Sequence, residues 1–252
     1  IDDAEIKCSM VKAKEMAHYV ANGTIDVGLT GKDWCVEYNS RVIVVDDFIY
    51  SKASYRPARW VLAVGGDSPY QKPEDLAGKK VATELVSVTR QWFKEKGIDV
   101  EVIFSWGATE AKVAAGLADA VVEVTETGST IRAHGLRIIG EVMQTNTQLI
   151  ANPEAYQDEF KQSKIRQVAL LLKGALKAYG MVAIQLNVRE RDAQRVIELM
   201  PSLNAPTVAH LYQTDWLSVE TIVSDNVVRE LIPKLMERGA EGIIEYSLNK
   251  VI

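Results

Sequence analysis

The chain has 252 residues, 47% of them apolar and 25% charged, and a formal net charge of −5. This balance is ordinary for a globular protein, leaves room for two or three small domains, and gives no general pull toward nucleic acid or acidic membranes. The apolar runs are too short to span a bilayer, and the two cysteines, Cys8 and Cys35, lack metal spacing, which suits a reducing cytoplasm.

The chain opens on Ile1 rather than Met, and Ile1 to Glu5 read as the middle of something, so further residues are expected ahead of them. Val11 to Val20 has helical spacing and stops at Asn22-Gly23. Ile25 to Thr30 is a short strand that runs through Gly31 into a helix start carrying Asp33. Arg41 to Val45 and Arg59 to Val64 read as buried strands. From Pro73 the alternation becomes regular. Pro73 to Ala77 is a short helix closed by Gly78, Lys80 to Thr83 a strand, Ser87 to Lys96 a helix ended by Gly97, and Val100 to Phe104 a strand. Ala108 to Ala115 is helical up to Gly116, and Ala118 to Val124 is again a strand. Such alternation predicts a parallel sheet covered on both faces, with ligands gathering at the carboxyl ends of its strands.

The last of these strands leads into Glu123-Val124-Thr125-Glu126-Thr127-Gly128-Ser129-Thr130 and then a short helix. A hydroxyl-rich turn with one glycine aims several backbone N–H groups at one spot, where a phosphate fits. Glu123 and Glu126 flank it and can accept from sugar hydroxyls or hold magnesium through water. The plainer reading is that Thr and Ser are N-caps and an exposed Glu is solvated. The residues alone leave both open. The loop is neither a Walker P-loop, lacking Gly-Lys-Ser/Thr, nor the three-glycine dinucleotide fingerprint.

Ile138 to Ile150 returns in extended conformation, and a long helix runs from about Tyr156 to Ala178, its lysines reading as a solvated face. After Gly180 the rhythm changes. Val182 to Val188 is a strand, Arg191 to Leu199 a helix, Ala205-Pro206-Thr207 opens a second strand, Trp216 to Val223 is a third, Val227 to Glu237 a helix and Ile243 to Tyr246 the last strand. That order is the ferredoxin-like βαββαβ unit.

In series, several segments resemble one family: Gly28 to Asp33, Asp75 to Thr83, Ser105-Trp106-Gly107-Ala108-Thr109-Glu110, Glu123 to Leu136, Ala205-Pro206-Thr207-Val208 and Gly239 to Ile243. The chain is similar over essentially its whole length to the ATP phosphoribosyltransferases in their long form. The resemblance implies a two-lobed α/β body like the type II periplasmic binding proteins, plus a C-terminal regulatory domain. Residues 1–62 and 151–177 would form lobe I, 63–150 lobe II, and 178–252 the regulatory domain. It implies that ATP and phosphoribosyl pyrophosphate, with Mg2+, give N1-(5-phosphoribosyl)-ATP and pyrophosphate, in a cytoplasmic homo-oligomer between dimer and hexamer that histidine inhibits. By the same matching, Glu123, Thr125, Glu126, Thr127, Gly128, Ser129 and Thr130 bind the donor, Glu123 touching the metal through water. Gly31 and Asp33 lie on the ATP side, and Asn187, Leu203, Ala205, Thr207 and Gly242 hold histidine.

From the residues themselves, Arg56 and Arg59 are cationic candidates for ATP phosphates or for a hinge salt bridge. Asp33 serves equally as a helix N-terminal charge, Arg132 is an exposed helix residue able to help hold an anion, and Glu110 supports the cleft. Trp60, Trp106 and Trp216 read as core, and His18, His134 and His210 need no catalytic role. The chain departs from the family in two places. Its members begin with a strand and a Lys-Gly-(Arg/Ser)-Leu type motif several tens of residues before this start, and Ala205 stands where many have Ser. Two other readings stay open: a two-lobed module that binds a small molecule without chemistry, and an inactive regulatory relative.

Overall fold

A computed structural model describes residues 3–49, 57–203 and 205–252; Arg56 lies outside them. The chain divides into two units, Ile1–Ala169 and Leu170–Ile252. The first contains α1 (Ala13–Ala21), β1 (Val27–Gly31), α2 (Lys32–Glu37), β2 (Ile43–Phe48), β3 (Ala58–Gly65), β4 (Lys80–Thr83), α3 (Val86–Glu95), β5 (Glu101–Phe104), α4 (Ala111–Ala114), β6 (Ala120–Thr125), α5 (Ser129–Ala133), β7 (Leu136–Thr145) and β8 (Thr147–Ala151). A long helix, α6 (Glu159–Ala178), runs through the division.

Two sheets make two lobes of the first unit. One is three-stranded and antiparallel, in the order β1-β8-β2, with Ala17 and Val20 of α1 packed against Ile150. The other has the order β5-β4-β6-β3-β7. Its strand β3 explains the unbroken apolar run in the sequence. Trp60, Leu62 and Val64 face a core with Leu85 and Phe93 of the α3 side, while Val61 and Ala63 face Ile131 and Leu136 on the other side. All five of these β3 residues are essentially inaccessible. Each of the larger apolar side chains buried in this way contributes about 1.5–3 kcal/mol, and Ala63 less.

The regular alternation predicts an all-parallel sheet, but this one is mixed. β4 runs parallel to β5 and β6, whereas β3 is antiparallel to both β6 and β7. The chain enters this lobe through β3 and leaves through β7, so β3 starts at the edge where β4, β6 and β7 end. The extended stretch 138–150 is likewise divided. It breaks at Asn146 between β7 of one sheet and β8 of the other, and β2–β3 is the second connection. Two α/β lobes joined by two crossings are the type II binding-protein arrangement that the family resemblance implies.

Two further expectations are corrected. The helix predicted over 108–115 shrinks to α4 because Gly107 and Ala108 have φ of +105° and +47°. Trp106 is no core residue: it is 87% exposed, edge-on to Phe104, because it follows the edge strand β5 and has no strand beyond to cover it. Trp60 is buried as expected, and Trp216 is half-buried under the Arg189 guanidinium.

The second unit holds β9 (Met181–Arg189), α7 (Ala193–Ile197), β10 (Thr207–His210), β11 (Trp216–Ser224), α8 (Asp225–Glu237) and β12 (Ala240–Ser247). Its sheet order, β10-β11-β9-β12, is antiparallel throughout. This is the ferredoxin-like unit. Ile184, Leu186 and Val219 share one core with Val196 of α7 and Leu231 and Leu235 of α8, so alternate residues of β9 and β11 point to the opposite face.

Within the first unit, the lobes meet at a buried carboxylate. Asp33, 5% exposed, accepts from the Trp60 indole N–H at 2.6 Å and from the Trp34 backbone N–H at 3.0 Å, while its own N–H reaches Thr145 Oγ1 at 3.2 Å. Trp60→Phe keeps the ring but removes a donor from a buried anion, and should cost about 1–3 kcal/mol. At about 2–4 °C per kcal/mol for a protein of this size, thermal melts will register the loss; an unchanged melting temperature would show that the bond contributes nothing.

Candidate active site

The carboxyl ends of β4, β5 and β6 open on one edge of the five-stranded sheet, and the candidate residues collect there. The turn after β6 is built by its own hydroxyls. Thr125, 7% exposed, accepts the Gly128 N–H on its Oγ1 at 2.8 Å, which folds the chain back on itself. Gly128 sits at φ +76°, a left-handed conformation costing other residues about 1–2 kcal/mol. A Cβ there would stand 3.0 Å from Arg132 Nη1. Thr127 Oγ1 lies 2.9 Å from Ser129 Oγ and accepts the Ser129 N–H at 3.3 Å, and Arg132 donates to the Thr127 carbonyl at 3.3 Å. Glu126, Thr127, Ser129 and Thr130 are exposed. The turn therefore presents hydroxyls and a guanidinium at the surface on a buried footing of Thr125 and Ile131.

Glu123 stands at the base of this turn, half-buried at the end of β6. Its carboxylate accepts the Val124 N–H at 3.2 Å and is hydrogen-bonded by the Thr109 hydroxyl, which also lies 2.9 Å from Ser105 Oγ. Burial raises the Glu123 carboxyl above the usual range; its two hydrogen bonds oppose this, and the charges of Glu110 and Glu84 add to it. Glu110 in turn lies 3.7 Å from His134 Nε2, and His134 Nδ1 contacts the Thr130 carbonyl at 2.9 Å. The three strand ends thus contribute Glu84, the Ser105–Glu110 loop and Glu123 to one place.

Sequence reasoning did not single out Glu84 or Thr109 individually, nor give His134 a role. Each stands just beyond a predicted strand or at the end of the short helix, which was the available signal. Among the described residues no group of three or more His, Cys, Asp and Glu could hold a metal ion.

Of the other expected positions, Arg59 lies at this same edge, opposite Thr125 in the β3–β6 pairing, and the rest lie elsewhere. Gly31 ends β1, and a Cβ there would collide with Asp33 Oδ1. Asp33 is buried against Trp60, and Arg59 pairs with Glu141 at 3.3 Å. In the second unit, Gly242 occupies a bulge of β12 at φ +58°, where a Cβ would meet Asn187 Nδ2 at 3.2 Å. Asn187 lies on β9 opposite Ser218 and Glu241. Thr207 lies on the edge strand β10, with β11 between it and β9, and Leu203 and Ala205 precede it in exposed positions. The five positions share one sheet and its approach, but span its width.

Comparison with known proteins gives this geometry its context. Residues 12–174 match the sequence profile of the family described as HisG, ATP phosphoribosyltransferase, and residues 178–250 match that of the HisG C-terminal domain. The chain is 65% identical over its whole length to an ATP phosphoribosyltransferase of Desulfatibacillum aliphaticivorans, covering 86% of that protein. It is 63% identical, with the same coverage, to one of Solidesulfovibrio magneticus. Among solved structures, an ATP phosphoribosyl transferase (HisG:HisZ) complex from Thermotoga maritima aligns with 66% of this chain and 81% of its own at TM-score 0.57 and 27% identity. With both profiles in order and relatives this similar end to end, the chain belongs to the long-form ATP phosphoribosyltransferases, pentosyltransferases of histidine biosynthesis.

Proposed function

We propose that the protein joins ATP and phosphoribosyl pyrophosphate to give N1-(5-phosphoribosyl)-ATP and pyrophosphate, the first step of histidine biosynthesis, with the 123–130 turn holding the donor. The observation that carries this is the Thr125–Gly128 hydrogen bond under a rim of exposed hydroxyls. Thr127 and Ser129 stand 2.9 Å apart on that rim, and we assign them with Thr130 to the 5′-phosphate, and Glu123 and Glu126 to the ribose. The chemistry asks little of the protein covalently. Pyrophosphate leaves as the ribose carbon gains positive character, and adenine N1 must be held in line with it. Such alignment is worth up to about 7–11 kcal/mol.

Magnesium bound to the diphosphate would neutralise the leaving group's charge. The absence of a three-ligand protein cluster among the described residues fits an ion that keeps waters and enters with substrate phosphates. Glu123 is the residue suited to meet its water shell. On the ATP side we assign Gly31 and Asp33 a shaping role from the β1–α2 junction, and Arg59 the cationic one.

The second unit we assign to feedback inhibition by histidine, in a homo-oligomer. What supports this is the pairing of Asn187 with the Gly242 bulge on the sheet face that carries no helix. Thr207 lies two strands away, which favours a site completed by a second copy.

The protein with ATP, phosphoribosyl pyrophosphate and magnesium should release pyrophosphate, and no turnover in either direction would defeat the reading. Gly128→Ala should raise the KM for the donor about tenfold, since 1.4 kcal/mol of strain in the turn is a factor of ten; an unchanged KM would remove the turn from the donor site.

Glu123→Gln should weaken donor binding yet raise the melting temperature of the ligand-free protein. A carboxyl whose folded pKa is raised above its unfolded value lowers stability once pH passes the unfolded value. The gain should therefore be absent below the ordinary carboxylate range, grow as pH rises from there to the raised folded value, and stay level above it. Melts across that range will show whether it does, and a gain independent of pH would contradict the assignment. Gly242→Ala, strained at φ +58°, should raise the inhibitory concentration of histidine about tenfold with turnover kept. Unaltered inhibition would move the effector site elsewhere.

A further inference from the structure

Helix α3 has no cap of its own. The residue before it is Leu85, whose buried side chain cannot accept a hydrogen bond, yet a helix start leaves backbone N–H groups that need partners. Two of these are satisfied from the other lobe. Glu37, at the end of α2, accepts the Ser87 N–H on Oε1 at 2.9 Å and the Val88 N–H on Oε2 at 3.0 Å. Beside it, Lys14 of α1 lies 3.9 Å from Glu84, which precedes the same helix. Both contacts join the three-stranded lobe to the five-stranded one.

Glu37 is one helical turn beyond Asp33, so α2 turns both carboxylates toward the same neighbour. Their settings differ. Asp33 is buried next to Thr145, one residue from the Asn146 crossing, and the Lys32 N–H donates to the Asn146 carbonyl at 2.9 Å. Trp34, between them in sequence, packs against the cores of both lobes. Glu37 is at the far end of α2 from that crossing and water reaches it. An ionic contact that solvent can replace is the one able to break without exposing a core.

We propose that Glu37 is a releasable clasp. Docked on the first turn of α3 it holds the two lobes of the catalytic body shut, and undocked it lets them part about the Asn146 crossing between β7 and β8 while Asp33 stays in place. The proposal rests on the contacts between the lobes and not on the reaction assigned to the cleft, and its test reads no turnover.

The test is the distance between lobes in the full-length, ligand-free protein. Spin labels go on His18→Cys of α1 and Glu95→Cys of α3, both exposed, in a Cys8→Ser background. Cys35 can stay: burial, with the Asp33 charge beside it, pushes its thiol up to about 11, so almost none is the reactive thiolate at neutral pH. Dilution with unlabelled protein restricts the signal to pairs within one chain.

The clasp predicts one short distance in the parent. Glu37→Ala should add a second, longer population, and Glu37→Gln, which keeps one acceptor and loses the charge, a smaller one. Lys14→Gln should add to either. If Glu37→Ala and Glu37→Gln both keep the parent distribution, Glu37 is only a helix cap and the proposal fails, whatever happens to the melting temperature. Glu37→Gln guards against a Glu37→Ala protein that does not fold.

Discussion

A carboxylate cannot be buried without donors, and the donors of Asp33 come from both lobes. Trp34 supplies its backbone N–H from the three-stranded side and Trp60 its indole N–H from the centre of the five-stranded sheet. Left unpaired, the group would cost far more than a neutral hydrogen bond returns. This one requirement fixes α2 against β3, and so fixes where the cleft edge of one sheet stands relative to the other lobe. The 123–130 turn, the Glu123 carboxylate and the first turn of α3 all sit on that edge.

The edge itself follows from strand direction. β4, β5 and β6 are parallel and end together, so three loops distant in sequence converge, and Thr109–Glu123 and Glu110–His134 tie two of them. The price is electrostatic: Glu84, Glu110 and Glu123 are gathered on one side, and the Glu123 carboxyl is raised in consequence of burial and of these neighbours. On the reading proposed above, a substrate carrying a metal ion and phosphates would relieve this repulsion on binding.

The sequence was most legible where the chemistry is local. The apolar run 60–64 announces a buried strand, and the hydroxyls around Gly128 announce a turn, though not that Thr125 is the one that folds it. The βαββαβ order of the last 70 or so residues, a modest span for such a unit, was readable from strand and helix periods alone. What could not be read depends on partners far along the chain. Asp33 finds Trp60 27 residues on, and Glu37 caps a helix 50 residues on, so neither contact leaves a trace in spacing. Strand direction was misjudged for the same reason: whether β3 runs with or against β6 is decided by the crossing between lobes, which no periodicity records. Trp106 was misplaced because an edge strand has the same pattern as a central one.

The central claim is that the 123–130 turn is where the phosphoribosyl donor sits, and hydrogen–deuterium exchange tests it most directly. The amides from Thr125 to Ile131 should exchange more slowly when phosphoribosyl pyrophosphate and magnesium are added, with little change in the β9–β12 sheet. Protection that appears elsewhere in the first unit and leaves the turn unaltered would contradict it.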